Sequence, residues 1–144
     1  MKIVIASDHG GFELKNRIID HLKSLNFLDF GTNSADSVDY PDYAKKVAEA
    51  ILSNQADFGI LICGTGIGIS IAANRFHGIR AALLYSDEVA KLAKQHNNAN
   101  ILVFGGRTMK ADDVIRRIEL FLNENFEGGR HQKRIDKIHA LENK

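Results

Sequence analysis

The 144-residue sequence has no tryptophan, a single cysteine (Cys63) and a single proline (Pro41). One cysteine excludes a disulfide within the chain, and a free thiol is typical of a reducing compartment such as the cytoplasm. Lysine and arginine total 19 against 18 aspartate and glutamate, which leaves a net charge of +1. This balance gives no electrostatic reason to expect a nucleic-acid partner.

Long apolar runs are also lacking. The N-terminal run, Ile3 to Ala6, meets Asp8 almost at once, so it is too short for a membrane span and does not resemble a signal peptide. No low-complexity segment, linker or repeat divides the chain. We therefore expect a single cytoplasmic domain over residues 1–144, with no membrane partner and with enough residues for a full hydrophobic core.

The sequence does contain short apolar runs that alternate with amphipathic segments. Strands are predicted at 3–6, 28–30, 58–62, 79–84 and 101–104. Helices are predicted at 12–25, 41–52, 66–75, 87–96, 112–123 and 130–141, with Ser86 as the cap of the fourth. Alternating strands and helices predict an α/β fold with a parallel sheet covered on both faces. Ligands of such sheets bind at the carboxyl ends of the strands.

The segment ILICGTGIGISIAAN (60–74) places three glycines, Gly64, Gly66 and Gly68, directly after a predicted strand. Their spacing differs from the dinucleotide-binding fingerprint, and neither a Walker lysine nor the arginine of a phosphatase loop follows. One interpretation is a tight turn between strand and helix. The other is a run of backbone N–H groups that binds an oxyanion or a phosphate.

Cys63 lies between the buried strand and this turn. Most lone cysteines are small buried hydrophobic residues, and that interpretation stays open. A cysteine at a predicted helix N-terminus, however, is placed where the helix dipole favours the thiolate. A thiolate beside amide donors can remove a proton from carbon while the amides hold the resulting oxyanion.

Two of the six histidines, His9 and His96, are predicted near one edge of the sheet. The others are interpreted as surface or hydrogen-bonded residues, namely His21, His77, His131 and His139. The histidine spacings do not match those of zinc ligands, so we expect no metal. Arg130 and Arg134 share one face of the last helix, which is either a solvated basic face or a phosphate clamp.

A specific set of segments spans residues 6–135: ASDHGGFELK, GTNSADSVDYPDYA, GILICGTGIGISIAANR, GIRAAL, QHNNANIL, FGGR and FEGGRHQKRI. With them the chain resembles the sugar-phosphate isomerase family that holds ribose-5-phosphate isomerase B and the galactose-6-phosphate isomerase subunits. The resemblance implies a Rossmann-like three-layer α/β/α sandwich, a five-stranded mainly parallel sheet, and a C-terminal helix extending to a partner subunit. It also implies a homodimer or dimer of dimers that interconverts ribose 5-phosphate and ribulose 5-phosphate without a metal or cofactor.

The resemblance further implies roles for individual residues. Cys63 matches the base that moves a proton between C1 and C2, His96 a residue that assists ring opening, and Thr65 a helper in ring opening or in proton movement between O1 and O2. The enediolate would be held by the amides of Gly64, Thr65, Gly66, Ile67 and Gly68. Other contacts with the sugar or its phosphate, some from the neighbouring subunit, are implied for Asp8, His9, Tyr40, Asn97, Arg107, Arg130 and Arg134.

Three alternatives remain at this point. Within the same family, the substrate could be allose 6-phosphate or galactose 6-phosphate. A nucleotide- or flavin-binding module could use the same fold, although the glycine spacing argues against it. A scaffold without catalytic activity would simply bury Cys63 in its core.

Overall fold

A computed structural model describes residues 1–143, and within them five strands form one sheet. The strands are β1 (Lys2–Ser7), β2 (Asn26–Asp29), β3 (Phe58–Cys63), β4 (Ala81–Leu83) and β5 (Ile101–Gly105). Their order is β2-β1-β3-β5-β4, and each neighbouring pair is parallel. The expectation of a mainly parallel five-stranded sheet is confirmed.

Two helical layers cover this sheet. The helices are α1 (Phe12–His21), α2 (Tyr40–Leu52), α3 (Ile67–Ala73), α4 (Asp87–Gln95), α5 (Ala111–Leu122) and α6 (Arg130–Leu141). Helices α1, α4 and α5 pack on the face that carries Ile3 and Ile5, whereas α2 and α3 pack on the face that carries Val4 and Ala6. Because β1, β3 and β5 are buried on both faces, their sequences are continuous apolar runs. The three-layer sandwich is confirmed.

Several boundaries differ from those expected, including those of α1, β2, β4 and α3, which spans Ile67–Ala73 instead of 66–75. Helix α1 ends at His21 because Leu22 leaves the helical conformation, with φ −105° and ψ 50°. Strand β2 lies at Asn26–Asp29 instead of 28–30. Strand β4 has only three residues, since the Arg80 N–H donates to the Asn100 side chain (2.8 Å) where a longer strand would continue its ladder.

The topology places a crevice above the carboxyl ends of β1 and β3. From β1 the chain crosses to one side of the sheet to form β2, and from β3 it crosses to the other side to form β4. Neighbouring connections therefore diverge at this point, which is where sheets of this kind bind ligands. Among the described helices, none is both long enough and apolar enough to cross a membrane.

Helix α6 has two distinct faces. Its inner face packs on the rest of the chain: His131 and Ile135 are buried, His139 lies 3.1 Å from Arg80 Nη1, and the Glu142 carboxylate that follows accepts a hydrogen bond from Gly78 N. Its outer face is exposed and carries Arg130 and Arg134, whereas the exposed Ile138 and Leu141 line a cavity together with Arg80.

Candidate active site

Cys63 is the last residue of β3, and its side chain is 5% exposed. The sulfur accepts a hydrogen bond from the Gly66 N–H at 3.2 Å, and the Cys63 carbonyl accepts one from Gly106 N at 2.8 Å. The thiol is therefore fixed at the carboxyl edge of the sheet with a backbone donor aimed at it. This is more than burial in a core, because the loop folds back to give the sulfur a polar partner.

The loop after Cys63 needs glycine at position 66. Gly66 has φ +83°, and a Cβ there would lie 2.6 Å from Leu83 Cδ1 and 3.0 Å from the backbone of Phe104. Thr65 is exposed, and its hydroxyl oxygen accepts a hydrogen bond from Ile67 N at 3.2 Å. The Gly66 amide therefore donates to the Cys63 sulfur, and the Ile67 amide donates to the Thr65 hydroxyl. Both belong to the amides expected to hold an enediolate.

The end of β1 supplies an acid and an imidazole. Asp8 is 6% exposed, and its carboxylate accepts a hydrogen bond from Gly10 N at 2.8 Å, which caps the short 3₁₀ turn His9–Gly11. The Nδ1 atom of His9 accepts a hydrogen bond from Val38 N at 3.2 Å. In the neutral ring the proton therefore resides on Nε2, which leaves His9 a donor on its other side.

The ends of β1, β3 and β5 approach each other closely. Gly106 lies against the Gly10 carbonyl, with no room for a Cβ between them. Arg107 N donates to Gly64 O at 2.9 Å, and the Arg107 side chain passes beside Gly64. A cavity of about 250 Å³ opens here between His9 and Arg107. His9 and Arg107 thus offer N–H donors to a small cavity beside the thiol loop, and the exposed Glu13 also lines it.

Tyr40 begins α2 and is 38% exposed. Its ring lies over the first turn of α3, so close that a Cβ on Gly68 would lie 2.6 Å from Tyr40 Cζ. The ring therefore forms a wall of the crevice beside the glycine loop.

His96 and Asn97 lie at the opposite, amino edge of the sheet, and the expectation that His9 and His96 share one edge of a chain is wrong. Helix α4 starts after the carboxyl end of β4 and returns to the amino edge, where Asn100 O accepts a hydrogen bond from Gly59 N at the start of β3. Cys63 is four residues further along β3, or about 13 Å away at 3.3 Å per residue.

At the amino edge His96 stacks on His131, with ring centroids 4.1 Å apart and an interplanar angle of 11°. Glu127 Oε1 lies 3.4 Å from His131 Nε2 and 3.9 Å from His96 Nε2. Burial lowers the pKa of His131, and the charges of His96 and Arg130 add to this effect. Although three ligand atoms lie within 4.8 Å of one another, the nearly parallel rings direct their lone pairs along parallel planes, so this cluster does not suit one metal ion.

The residues predicted for the site thus fall into two groups. The residues around Cys63 lie at the carboxyl edge; they are Asp8, His9, Tyr40, Cys63, Gly64, Thr65, Gly66, Ile67, Gly68 and Arg107. The histidine group, at the amino edge and the adjoining start of α6, consists of His96, Asn97, Arg130 and Arg134. Arg130 and Arg134 are both exposed on the outer face of α6, as their spacing predicts.

Sequence reasoning missed two residues that support these groups. Lys15 on α1 is 1% exposed and pairs with Asp29 at 2.7 Å, while Asp29 also accepts a hydrogen bond from Gly31 N, so this pair ties α1 to the loop before α2. Arg80 binds the backbone carbonyls of Asn97 and Asn98. In the sequence, Lys15 and Arg80 are each marked only by a charged side chain at an otherwise apolar position of a predicted helix or strand.

Comparison with known proteins agrees with this architecture. Ribose-5-phosphate isomerase B of Escherichia coli is 46% identical over 143 residues, covering 98% of this chain and 96% of that protein. The structure of Clostridium thermocellum ribose-5-phosphate isomerase B superposes with a TM-score of 0.97 at 49% identity, covering 99% of this chain and 98% of the other. The structure of the Mycoplasma genitalium enzyme, with bound ribulose-5-phosphate, has a TM-score of 0.94 at 48% identity and covers 99% and 97%.

A family model also covers nearly the whole chain. It is described as Ribose/Galactose Isomerase and matches residues 3–138, which include both groups of predicted site residues. The coverage by this model and the identity to the Escherichia coli protein agree. The chain therefore belongs to the Ribose/Galactose Isomerase family.

Proposed function

We propose that this protein interconverts ribose 5-phosphate and ribulose 5-phosphate. The observation that carries the proposal is the Cys63 sulfur, held at 3.2 Å from the Gly66 amide beside the cavity of His9 and Arg107. A base, an oxyanion site and N–H donors for a phosphate are the parts that isomerisation of a sugar phosphate needs. The names of the Escherichia coli and Mycoplasma genitalium relatives support the substrate.

In the proposed reaction, Cys63 as thiolate removes the C2 proton of the open-chain aldose and returns it to C1. The C1 oxygen gains negative charge as the C2–H bond breaks, and backbone amides of residues 64–68 stabilise that charge. The hydroxyl proton moves from O2 to O1 with the help of Thr65. Each proton that leaves the substrate returns to it, so the isomerisation is redox-neutral and needs no external oxidant or reductant. The proposal includes no cofactor and no metal.

The proposed site is shared between two subunits of a homodimer, or of a dimer of dimers. The histidine group lies at the amino edge of its own chain, where the start of β3 is about 13 Å from Cys63, too far for one small sugar phosphate to contact both. We infer that His96, Asn97, Arg130 and Arg134 serve the Cys63 loop of a partner subunit. There His96 would open the sugar ring, and the two arginines would bind the phosphate together with His9 and Arg107.

Exposed apolar side chains support this association. Ile67 and Ile71 on α3 are 55% and 53% exposed, and Leu141 on α6 is 61% exposed. A cavity of about 500 Å³, lined in part by Ile138 and Leu141, opens beside α6. A two-fold axis could place the exposed isoleucines of α3 in one subunit against α6 of the other, which would bury both surfaces.

Three further parts belong to the proposal. Residues 1–144 form one sugar-phosphate isomerase domain, supported by the single sheet and by the family match over residues 3–138. The protein works in the cytoplasm, supported by its one free thiol. It uses no nucleic-acid partner, supported by its net charge of +1.

A coupled assay that compares ribose 5-phosphate, allose 6-phosphate and galactose 6-phosphate tests the proposal. We expect the highest kcat/KM for ribose 5-phosphate. A clear preference for either hexose phosphate would overturn the substrate assignment but keep the chemistry. No turnover of any of the three by folded protein would overturn both.

A further inference from the structure

Arg80 makes the densest set of side-chain hydrogen bonds at the amino edge. Its Nε donates to the carbonyls of Asn97 (3.2 Å) and Asn98 (3.1 Å), and its Nη2 donates to the Asn98 carbonyl at 2.8 Å. Burial lowers the pKa of this half-buried guanidinium, and Glu142 opposes the shift. The cation is thus partly removed from water and directed at the backbone that follows His96.

These carbonyls belong to a strained turn at the end of α4. The last carbonyls of α4 are bonded by the backbone N–H groups of His96, Asn98 and Ala99, whereas Arg80 donates to the carbonyls of the two residues after the C-cap His96. Asn98 has φ +43°, in the left-handed region, which residues other than glycine adopt at an energetic cost. The turn is also held by Asn100, whose side chain bonds Arg80 N at 2.8 Å and Gly78 O at 2.9 Å. Arg80 therefore compensates a backbone conformation that places His96 and Asn97.

The same guanidinium reaches the last helix. Its Nη1 lies 3.1 Å from His139 Nε2 on the inner face of α6. Two residues before Arg80, Gly78 N donates to the Glu142 carboxylate at 2.9 Å. Arg80 thus links the two segments that carry the histidine group: the turn with His96 and Asn97, and the helix with Arg130 and Arg134.

We propose that Arg80 is a positioning residue of the isomerase, which holds the histidine group as one rigid unit for the site of the partner subunit. This rests on the proposed function, in which that group serves a partner's Cys63 loop. Arg80 itself would not touch the substrate, because its donors are directed at the carbonyls of its own chain and at His139. Its loss would move His96 and Asn97 and leave the Cys63 loop of its own chain intact.

Substitution with matched controls provides the first test. We expect Arg80→Ala to lower kcat/KM about 100-fold, the size of effect that a misplacement of about 1 Å produces. Arg80→Lys should recover little, because its single nitrogen lacks the planar fork with which Arg80 reaches both carbonyls and His139 at once. Millimolar guanidinium chloride should restore part of the activity of Arg80→Ala and none of His96→Ala, with sodium chloride as the salt control. Arg17→Ala, which removes an exposed arginine of α1, should leave activity unchanged.

Mixed dimers then locate the lesion. When chains exchange at random, half the dimers are mixed, and Arg80→Ala with Cys63→Ala leaves one intact site in each, so about a quarter of wild-type activity should return. Arg80→Ala with His96→Ala should recover nothing beyond the residual level, because both lesions affect the same half of the site. The pair Cys63→Ala and His96→Ala is the reference for the shared site itself.

The outcomes separate the two proposals. If the reference pair recovers no activity after mass measurements show that exchange occurred, the shared site is wrong, and Arg80 is then judged by the guanidinium rescue alone. If the reference pair recovers but Arg80→Ala complements His96→Ala, or retains wild-type kcat/KM, the positioning role is wrong. Should Arg80→Ala not fold, as judged by circular dichroism, Arg80→Lys keeps the charge and takes its place in the same mixtures.

Discussion

Replacing Cys63 with alanine should remove catalysis while the fold survives. The change deletes one sulfur from a side chain that is 5% exposed. Loss of its buried surface and the small cavity left behind cost about 1–2 kcal/mol. The Gly66 N–H also loses its acceptor, which adds about 1 kcal/mol. The sum is well below the 5–15 kcal/mol that is usual for a domain, so the variant should remain folded at room temperature.

The effect on activity should be much larger than the effect on stability. A positioned general base contributes about 10²- to 10⁴-fold, and we expect a loss in the upper part of that range because proton removal from carbon is the central step. Cys63→Ser keeps an acceptor for Gly66 N–H and nearly the same volume, but a hydroxyl is a far weaker base. It should therefore recover stability without recovering turnover.

The assay combines turnover, alkylation and unfolding. Iodoacetamide should inactivate the wild type, and because Cys63 is the only cysteine, one added group per chain by mass spectrometry identifies the target without ambiguity. Ribose 5-phosphate should slow that alkylation. Thermal unfolding by circular dichroism controls for folding in both variants. If folded Cys63→Ala turns over ribose 5-phosphate at a rate close to wild type, the thiol is not the base.

Three further substitutions test other parts of the site. His96→Asn should slow isomerisation of the cyclic aldose more than that of ribulose 5-phosphate, which cannot close to a furanose; equal losses in both directions would contradict a role confined to ring opening. Arg134→Ala should raise the KM for ribose 5-phosphate strongly, because charge-assisted bonds to the phosphate are lost. The KM for free ribose should change little. An unchanged KM for ribose 5-phosphate would mean that the outer face of α6 is only a solvated basic surface. His131 tests a pH effect, because burial lowers its pKa in the folded state. As the pH falls below about 6.5, the unfolded chain therefore binds a proton before the folded chain does. The free energy of unfolding decreases from that pH downward. His131→Phe keeps a stacked ring but cannot titrate, so its unfolding temperature should fall less between pH 7 and 5 than that of the wild type, and parallel curves would refute this assignment.

The sheet was predictable because its strands are short, apolar and bounded by polar turns. The runs at β1, β3 and β5 are buried on both faces, so hydrophobicity alone marks them. At the edge of the sheet the signal weakens: in β2 and β4 no residue is fully buried, and side chains such as that of Asn100 take over backbone bonds. The boundaries expected there were therefore wrong by one or two residues.

The placement of the thiol loop was predictable for a different reason. Cysteine and glycine at the end of a buried strand leave few alternatives, and the structure does place the sulfur against a loop amide. The position of His96 could also have been predicted. In a parallel β-α-β unit the helix returns from the carboxyl edge to the amino edge, so residues at the end of α4 lie at the edge opposite the thiol loop. Arg80 was missed because its partners are backbone carbonyls, which leave no trace in the side-chain pattern.

The separation of the two groups across the sheet has a consequence for how activity depends on protein concentration. On the proposed function, a dissociated chain holds one half of each of two sites and no complete site, so monomers are inactive however well they fold. Mass action then governs turnover: as the enzyme is diluted below the dissociation constant of its dimer, specific activity falls with the dimer fraction. A high concentration of ribose 5-phosphate opposes this fall, since substrate bound by both subunits stabilises their association.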